Sequence, residues 1–549
     1  MTVSELELDD TARVLASLPR RIHEIVTRNT ERNPAAEALR EGECAWTYAD
    51  LAAATDAAAS HLSAAGVRPG DRVMLVGENC AALVALMFGV SRLDAWATIV
   101  NARLSAREID VIRNHCRPRR TVYLTEVSPD AGAHAHRHEN GRGAERFAVG
   151  AMGEVLLGAG DDACLPEAVA DAAAEQVAAL VYTSGTTGEP KGVMLTHRNL
   201  LYIARVSSAL RALRAGDRVY GVLPIAHVYG LASVTLGTLF AGASLQLEAR
   251  FSPQAMLKAI TRCGVTVLQG VPSMYAKLLE LLPEDTSPLD VPQLRTCFAG
   301  GSPLDPALKK HAERILGVTL HNGYGLTEAS PTVAHTRLDE SRPDCAVGPP
   351  LPGVEIRIGS SSNGGVVASA GAPGTLYVRG PNVMRGYYRN PELTAKTIDS
   401  YGWLDTGDIA RQDASGALFI VGRAKELIIR SGFNVYPAEV EAVLNAHPAV
   451  LHSAVVGRAV PGNEEVVAFV ELVPGRSVSP GELAAYVEGE LAPYKRPAEI
   501  VVAASLPVAA NGKILKRHLD ELARTPAHLR AWAMPPERPA DNRITKEEA

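Results

Sequence analysis

The sequence predicts an α/β protein with a large N-terminal region of several subdomains and a small α+β domain at its C-terminus. Three observations predict this fold. The chain has 549 residues, which at roughly 150 residues per domain corresponds to about three to four units. Short β-branched runs alternate with Ala- and Leu-rich stretches of helical period through most of the chain. The last quarter instead holds short strands separated by two helices.

The large region is expected to interleave buried strands and helices from its start. Thr47 and Asp50 have the spacing of a capping box before an Ala-rich helix at 51–65, and Gly66 stands where that helix should end. The predicted strands are 72–76, 121–124, 177–182, 265–268 and 294–298.

The small domain has its own pattern of short strands and capped helices. Ser479 and Glu482 form a second capping-box pattern, with Pro480 at the first helical position. The predicted strands are 426–430, 450–457, 466–473 and 499–503, and the predicted helices are 439–447 and 480–491.

A turn-rich passage at 401–425 separates the two parts and predicts a domain junction near Lys425. We therefore expect an N-terminal domain at 1–424 and a mobile C-terminal domain at 425–549, with a flexible tail after about residue 525. The segment 126–146, rich in Gly, Ala and His, is predicted to be a dispensable loop whose alternating histidines are solvated rather than bound to a metal.

Composition and charge exclude several classes of function. Hydrophobic residues make up 47% of the chain, charged residues make up 21%, and the formal net charge is −6, as in a folded globular protein. Lysines and arginines are scattered, so no basic face suits nucleic acid or anionic lipid. Any anionic ligand must therefore be bound by a local site.

Cysteine usage and the chain start favour a cytoplasmic protein. The seven cysteines are far apart and form no C-x-x-C pair, which disfavours a disulfide framework or a zinc ribbon. The acidic start lacks the features of an export signal. The longest apolar run, Cys80 to Val100, is interrupted by Arg92 and Asp94, so no membrane span is expected. The assembly state stays open, with a homodimer as one option.

The strongest local signal is the segment 181–192, an apolar strand that runs into hydroxyls, glycines and a lysine. Glycines let backbone N–H groups approach an anion, hydroxyls add donors and lysine adds a compact positive charge. A flexible surface loop explains such a long match poorly, and the spacing is not that of a Walker A loop. The segment predicts a polyphosphate site at Thr183, Ser184, Gly185, Thr186, Thr187, Gly188 and Lys191.

Four further motifs follow downstream: GYGLTE at 323–328, GWLDTGD at 402–408, GRAKE at 422–426 and NGK at 511–513. With the segment 181–192, they make the chain resemble the AMP-forming acyl-CoA synthetases of the adenylate-forming superfamily, similar to 4-coumarate:CoA ligases and fatty acyl-CoA ligases. Five motifs in the family's order make a chance match negligible. The resemblance implies the adenylate-forming fold and the use of ATP, Mg²⁺ and coenzyme A.

The resemblance also implies roles at the nucleotide. Glu328 would hold Mg²⁺, Thr327 would contact the α-phosphate, and Tyr324 would pack on adenine. In this chemistry a carboxylate attacks the α-phosphate of ATP, one anion attacking another, so charge neutralisation is the main catalytic task. The implied nucleotide contacts are Gly323, Tyr324 and Gly325, with Asp408 and Arg423 at the ribose.

By resemblance, Lys513 is the lysine that bridges the acid carboxylate and the α-phosphate, where an ammonium stabilises developing negative charge. The family then rotates its small domain about a hinge, here Lys425 by motif position. Rotation would withdraw Lys513 and bring in Ser431, Gly432 and Phe433, where the glycine would let the pantetheine of coenzyme A pass.

The acyl pocket is implied at two segments, 223–230 and 300–303, with His227 near the substrate carboxylate. No arginine or lysine lies among the implied positions, so a second carboxylate would be buried unpaired, which disfavours dicarboxylic acids. Amino acids are disfavoured because amino-acid-activating relatives place an aspartate in the region of His227 to pair the α-ammonium group, and this chain has none there. Aromatic and fatty acids both stay open. The implied lining is His227, Tyr229, Ser233, Gly300, Gly301, Asn322, Gly323, Pro331 and Thr332.

The resemblance implies an AMP-forming carboxylic acid:CoA ligase. It would form an acyl adenylate with release of pyrophosphate and then a CoA thioester, from a fatty or aromatic monocarboxylic acid. One alternative is an acyl-AMP ligase that loads a carrier protein or stops at the adenylate. Another is a catalytically silent relative that binds nucleotide or an acyl ligand, against which the presence of Lys191, Glu328 and Lys513 argues.

Overall fold

The computed structural model describes residues 10–139, 143–150, 153–183, 191–283, 285–340, 342–359, 371–430, 433–460, 463–508 and 514–524. The chain divides into two compact units, Met1–Ile420 and Val421–Ala549. The α/β character of the large region and the α+β character of the small one are both confirmed. The hinge at Lys425 stays a prediction.

The first unit is built on three sheets. Its strands are β1 Glu37–Glu41, β2 Cys44–Thr47, β3 Arg72–Gly77, β4 Trp96–Asn101, β5 Arg120–Tyr123, β6 Glu145–Ala148, β7 Glu154–Leu157, β8 Val177–Thr183, β9 Lys191–Thr196, β10 Arg218–Gly221, β11 Ser244–Leu247, β12 Val267–Gly270, β13 Thr296–Gly300, β14 Leu320–Gly325, β15 Thr332–His335, β16 Glu355–Gly359, β17 Gly374–Arg379, β18 Gly386–Tyr387, β19 Leu404–Gln412 and β20 Leu418–Arg423. The sheet orders are β15-β14-β13-β12-β10-β11-β1-β2, β18-β9-β8-β4-β3-β5-β7-β6 and β16-β17-β19-β20.

The first unit also contains helices, some of which connect parallel strands, as Ala81–Arg92 connects β3 and β4. They span Thr11–Ser17, Glu24–Arg32, Tyr48–Ala64, Ala81–Arg92, Ala106–Cys116, Pro129–Glu139, His197–Leu210, Gly237–Phe240, Pro253–Arg262, Pro272–Glu280, Pro306–Leu316 and Pro391–Thr397. A π-helix spans Tyr229–Leu236 and a 3₁₀ helix spans Thr327–Ala329. Central strands such as β3 are buried throughout, as expected for parallel sheets covered on both faces.

The predicted strands of the large region are confirmed, with ends shifted by no more than two residues. The first predicted capping box is also confirmed. Thr47 Oγ1 accepts a hydrogen bond from the backbone N–H of Asp50 at 3.2 Å, and the Asp50 carboxylate accepts one from the N–H of Thr47 at 2.8 Å. Gly66 follows the helix with a φ of +84°, which a glycine adopts without strain.

The predicted loop at 126–146 is wrong, because a helix occupies Pro129–Glu139. His134 and His138 are each only 8% exposed. His134 Nε2 hydrogen-bonds the Ala102 carbonyl at 2.9 Å, and His138 Nδ1 lies 2.9 Å from the Tyr123 hydroxyl. These partners let an Ala-rich helix bury its polar side chains. Among the described residues, no group of three or more His, Cys, Asp or Glu could hold a metal ion.

The second unit is smaller and has its own core. Its strands are β21 Ile428–Arg430, β22 Phe433–Val435, β23 Val450–Val460, β24 Asn463–Leu472 and β25 Glu499–Ala503, and its helices are Pro437–Asn445, Pro480–Glu490 and Lys516–Ala523. β21 pairs with β22, and β23, β24 and β25 form a three-stranded sheet. The predicted strands and helices of this unit are confirmed, as is the capping box of Ser479 and Glu482.

No helix in the described part of the chain combines the length and the apolar character that crossing a lipid bilayer requires.

Candidate functional site

The two ends of the predicted polyphosphate segment meet in the first unit. β8 and β9 pair antiparallel, with Thr183 opposite Lys191 and Tyr182 opposite Gly192. Thr183 and Lys191 are both half-buried. The segment between them, which contains the predicted phosphate contacts Ser184, Gly185, Thr186, Thr187 and Gly188, lies outside the described residues. The phosphate role of this segment therefore stays a prediction.

Glu328 and Lys191, which come from different motifs, meet at Tyr387. The Tyr387 hydroxyl donates a hydrogen bond to Glu328 Oε1 at 2.7 Å. Lys191 Nζ lies 5.4 Å from the centroid of the Tyr387 ring, within the range of a cation–π contact. Burial and the Glu328 carboxylate raise the pKa of the Tyr387 phenol, so the hydroxyl stays protonated and acts as a donor. No sequence motif marks Tyr387, which becomes visible only through the pairing of β18 with β9.

Two residues predicted to contact the nucleoside lie next to each other. The Tyr324 hydroxyl donates to Asp408 Oδ2 at 2.5 Å, and Asp408 is 3% exposed. The backbone N–H of Asp408 donates to Thr406 Oγ1 at 3.1 Å. The GYGLTE and GWLDTGD motifs thus converge, as expected for residues that share one ligand. Arg423 ends β20, a strand that begins in the first unit and continues past Ile420 into the second, and its ribose contact stays a prediction.

The turn after β14 requires glycine and sets the position of Thr327 and Glu328. A Cβ at Gly325 would lie 2.2 Å from the Pro331 carbonyl oxygen, so no side chain fits there. The N–H of Leu326 donates to the same oxygen at 3.0 Å. The 3₁₀ helix Thr327–Ala329 follows directly, and Thr327 is buried. The turn therefore presents both side chains at the carboxyl end of the sheet.

Residues predicted for the acyl pocket surround the ends of β13, β14 and β15. A Cβ at Gly300 would lie 3.4 Å from the Tyr229 ring. Ser233, on the π-helix that Tyr229 begins, places its hydroxyl 3.2 Å from that of Thr332. His227 is half-buried, and its Nδ1 accepts a hydrogen bond from the N–H of Tyr229 at 3.3 Å. The π-helical turn, a form often found at functional sites, thus faces the strand ends.

The remaining predicted lining residues lie on the same strand ends. Gly323 pairs with Gly300 in register, and Gly301 has a φ of +84°. The Pro331 carbonyl accepts the hydrogen bond from the N–H of Leu326 in the turn after β14. The side-chain amide of Asn322 donates to the Cys345 carbonyl at 2.8 Å. Because successive residues of a strand face opposite sides of the sheet, Asn322 and Gly323 lie on opposite faces. The acyl roles of these positions stay predictions.

The structure adds a cation to this region that no motif contains. Arg211 follows the helix His197–Leu210 and is only 3% exposed. Its guanidinium carbon lies 5.0 Å from the centroid of the Phe298 ring. Phe298 stands two residues before Gly300 on β13, so the two share a face of the sheet. The expectation that no arginine or lysine lies among the pocket positions therefore missed a buried arginine beside them.

The loop before the π-helix is held by Asn79, which is also outside every motif. Its Nδ2 donates to the carbonyls of Gly221 and Leu223 at 3.1 and 2.9 Å, and its Oδ1 accepts from the N–H of Ile225 at 2.9 Å. Asn79 and these three partners are buried. One amide therefore satisfies three backbone groups that lead into His227.

We expect Asn79→Ala to destabilise the protein. Three buried backbone groups would lose their partner, so the free energy of unfolding should fall by about 2 to 4 kcal/mol. Urea titrations followed by circular dichroism measure this change. The control is Asn33→Ala at an exposed position, which should stay within about 0.5 kcal/mol. Equal losses in the two variants would contradict a positioning role for Asn79.

The coenzyme A and lysine positions belong to the second unit. Lys425 lies in a 3₁₀ turn, Ala424–Glu426. Phe433 begins β22, is exposed, and stacks on Tyr494 with ring centroids 4.7 Å apart. Ser431, Gly432 and Lys513 lie outside the described residues. The hinge, coenzyme A and bridging-lysine roles all stay predictions.

Known proteins are similar to this chain over most of its length. The family model of AMP-binding enzymes matches residues 26–388, and the model of the AMP-binding enzyme C-terminal domain matches residues 439–513. A feruloyl-CoA synthase of an Amycolatopsis species is 35% identical over 495 residues, which cover 89% of this chain and 96% of that protein.

A plant relative and a solved structure extend the agreement. The 4-coumarate–CoA ligase 5 of Oryza sativa subsp. japonica is 36% identical over 490 residues, covering 86% of this chain and 88% of that protein. The structure of o-succinylbenzoate coenzyme A synthetase from Bacillus subtilis in complex with ATP and magnesium ion has a TM-score of 0.76 and 30% identity, covering 90% of this chain and 98% of that one. The chain therefore belongs to the AMP-binding enzyme family, the adenylate-forming enzymes that include these CoA ligases.

Proposed function

We propose that this enzyme joins an aromatic monocarboxylic acid to coenzyme A in two steps, through an acyl adenylate. The observation that carries the proposal is that Glu328 and Lys191 both contact Tyr387, which lies on β18 next to β9. A carboxylate and an ammonium that contact the same tyrosine, with the ammonium at the end of a segment rich in glycine and hydroxyl groups, suit a bound nucleoside triphosphate with its cation.

In the first step, an oxygen of the acid carboxylate attacks the α-phosphorus of ATP and pyrophosphate leaves. In the second step, the sulfur of coenzyme A attacks the acyl carbon, the thiol loses its proton, and AMP leaves. The first step brings two anions together, so cations must reduce their repulsion. Lys191, at the start of β9, supplies one positive charge. Lys513 supplies a second, at the oxygens of the acid carboxylate and the α-phosphate.

The residues present fit a magnesium ion. Glu328 offers a carboxylate oxygen and ATP offers phosphate oxygens, which are the hard ligands that Mg²⁺ prefers. The hydrogen bond from Tyr387 fixes one oxygen of that carboxylate, so the side chain is oriented before the nucleotide binds. When bound, Mg²⁺ would offset negative charge on the phosphates. Thr327 would contact the α-phosphate from the adjoining position.

An aromatic acid suits the strand ends at the predicted pocket. Gly300 and Gly323 lack side chains, and Tyr229 packs across the first of them. A flat substrate ring could pack against the Tyr229 ring beside Gly300, as aromatic pairs prefer. Similarity to a feruloyl-CoA synthase and to a 4-coumarate–CoA ligase supports this class. The buried apolar π-helix also admits a fatty acid.

The second half-reaction would use the second unit in a new orientation. We infer that it turns about Lys425, withdrawing Lys513 and presenting Phe433 with its neighbours to coenzyme A. Such a turn lets one site carry out two reactions with different partners. The exposure of Phe433 supports this role.

The proposal is tested by pyrophosphate release with benzoates, cinnamates, straight-chain fatty acids and short acids, each with and without coenzyme A. Chromatography of the products identifies the thioester. We expect pyrophosphate, AMP and thioester with at least one aromatic acid. Straight-chain fatty acids of equal length should react at lower rates. Pyrophosphate without thioester would favour loading of a carrier protein instead, and release of ADP and orthophosphate would overturn the proposal.

A further inference from the structure

An ammonium group in the second unit joins three parts of the chain that are far apart in sequence. Lys516, the first residue of the helix Lys516–Ala523, places its Nζ 2.8 Å from Glu441 Oε1 and 3.1 Å from Glu426 Oε2. Glu441 lies on the helix Pro437–Asn445, and Glu426 ends the 3₁₀ turn of the predicted hinge. Lys516 therefore ties the start of its own helix both to another helix of the second unit and to the hinge turn.

We propose that Lys516 is a positioning residue for acyl-adenylate formation, acting by anchoring the chain that follows the segment 509–513, which contains Lys513. The proposal rests on the proposed function, which assigns Lys513 to the first half-reaction. Lys513 precedes Lys516 by three residues, and three residues of extended chain span at most about 11 Å. Anchoring Lys516 therefore limits the positions that the Lys513 backbone can reach.

The chain on the two sides of this segment is held together and is anchored on both sides. The N–H of Leu515 donates to the Pro507 carbonyl at 2.8 Å. On the side that precedes the segment, Leu506 is buried, and its N–H donates to the Glu471 carboxylate of β24 at 2.8 Å. On the side that follows it, Lys516 supplies the corresponding anchor through its two ion pairs.

Lys516 meets Glu441 at the edge of the three-stranded sheet. β23 is an edge strand, and the N–H of Val455 on this strand donates to Glu441 Oε1 at 2.7 Å. Val455 packs in the apolar cluster of the helix that carries Glu441, whereas its neighbour Val456 packs in the cluster of Leu519. Successive strand residues face opposite sides of a sheet, so the pair joins two helices that cover opposite faces.

One positive charge holds two negative charges at this junction. The side chains of Lys516, Glu426 and Glu441 are 25%, 38% and 14% exposed, so water only partly screens them. Burial lowers the pKa of Lys516, but Glu441 and Glu426 raise it by more, and the pKa lies above its ordinary value. The ammonium is therefore charged near neutral pH. Without it, the two carboxylates would repel each other, and the start of the helix would lose both ion pairs.

The position assigned to coenzyme A has anchors other than Lys516. Phe433 begins β22, which pairs with β21. On β21, Ile428 is buried in the core, and the N–H of Ile429 donates to the Glu464 carboxylate of β24 at 2.5 Å. Loss of Lys516 should therefore impair adenylation far more than thioester formation.

The test measures both half-reactions in Lys516→Met, which nearly keeps the length of the side chain and removes its charge. Exchange of labelled pyrophosphate into ATP measures adenylation, with the aromatic acid that reacts fastest in the pyrophosphate-release panel. Thioester formation from the corresponding synthetic acyl adenylate measures the second step. We expect adenylation to fall about 10- to 100-fold, the scale of a displacement of about 1 Å, and the second step to change by less than about threefold.

The ratio of the two rates separates positioning from stability, because a loss of folded enzyme lowers both rates together and cancels. Lys516→Arg, which keeps a charge and donors, should stay within about threefold of the wild-type ratio. Arg517→Met removes the adjacent exposed charge, which pairs with Glu521, and should keep the wild-type ratio. If Lys516→Met yields no folded protein, Glu441→Gln, which removes the charge of one partner, carries the same comparison.

A double variant decides whether Lys516 acts through Lys513. In the Lys513→Ala background, adding Lys516→Met should lower the remaining adenylation by less than about threefold, because the group that Lys516 positions is already absent.

Two results would overturn the inference. They are an unchanged ratio of the two half-reactions in Lys516→Met, and an undiminished effect of Lys516→Met in the Lys513→Ala background. Each leaves the proposed function standing, because the wild type would still release pyrophosphate and form the thioester. If the wild type releases no pyrophosphate with any acid, the proposed function itself fails.

Discussion

Replacing Lys513 by alanine is expected to lower the rate of acyl-adenylate formation by about a thousandfold, the upper range for removing one preorganised group that stabilises transition-state charge. The ammonium would neutralise charge on the oxygens between the acid and the α-phosphorus, where repulsion is greatest. Only the first half-reaction creates this problem. The variant should therefore still convert a supplied acyl adenylate to the thioester at a rate close to that of the wild type.

Two assays separate the half-reactions. Exchange of labelled pyrophosphate into ATP measures adenylation, and thioester formation from synthetic acyl adenylate measures the second step. Arg517→Ala is the matched control, because it removes a nearby exposed charge that pairs only with Glu521 among the ion pairs described. It should change both rates by less than about threefold, as expected for a surface ion pair. An equal loss in both half-reactions of Lys513→Ala would show that the turn about Lys425 is wrong.

Much of the fold can be predicted because burial leaves a local pattern. Strands such as β3 are apolar along their whole length, and capped helices such as Pro480–Glu490 carry their start signal in four residues. The observed strand ends differ from the predicted ones where a glycine continues the strand, as at Gly270 and Gly300. The helix Pro129–Glu139 escaped prediction because its histidines find buried partners far along the chain, which composition does not reveal.

In the candidate site, too, some residues can be predicted from local sequence and others cannot. Motif residues such as Tyr324 and Asp408 were found from local sequence, and the structure joins them. Tyr387 and Arg211 were missed because each acts through neighbours far away in sequence. Tyr387 lies in a two-residue strand, and an arginine at a helix end is usually exposed. Only tertiary packing buries Arg211 against Phe298, beside the predicted acyl pocket.

Glu328→Gln is expected to lower adenylation by about 100- to 1,000-fold, the scale of losing one preorganised electrostatic contact to the reacting phosphates. The substitution keeps size and removes the charge that Mg²⁺ needs. The Mg²⁺ concentration giving half-maximal rate should rise, which a change in folding alone would not produce. Tyr387→Phe should cause a smaller loss of about 10- to 100-fold, since it removes one hydrogen bond to a charged group.

The double variant decides whether Tyr387 acts through Glu328. Phenylalanine keeps the ring against which Lys191 packs, so the substitution removes the hydroxyl and little else. If the hydroxyl serves only to orient the Glu328 carboxylate, then adding Tyr387→Phe to Glu328→Gln should cost less than about threefold, because the charge it orients is already gone. Fully additive losses would place the Tyr387 hydroxyl in direct contact with the nucleotide, because its effect would then not depend on the carboxylate.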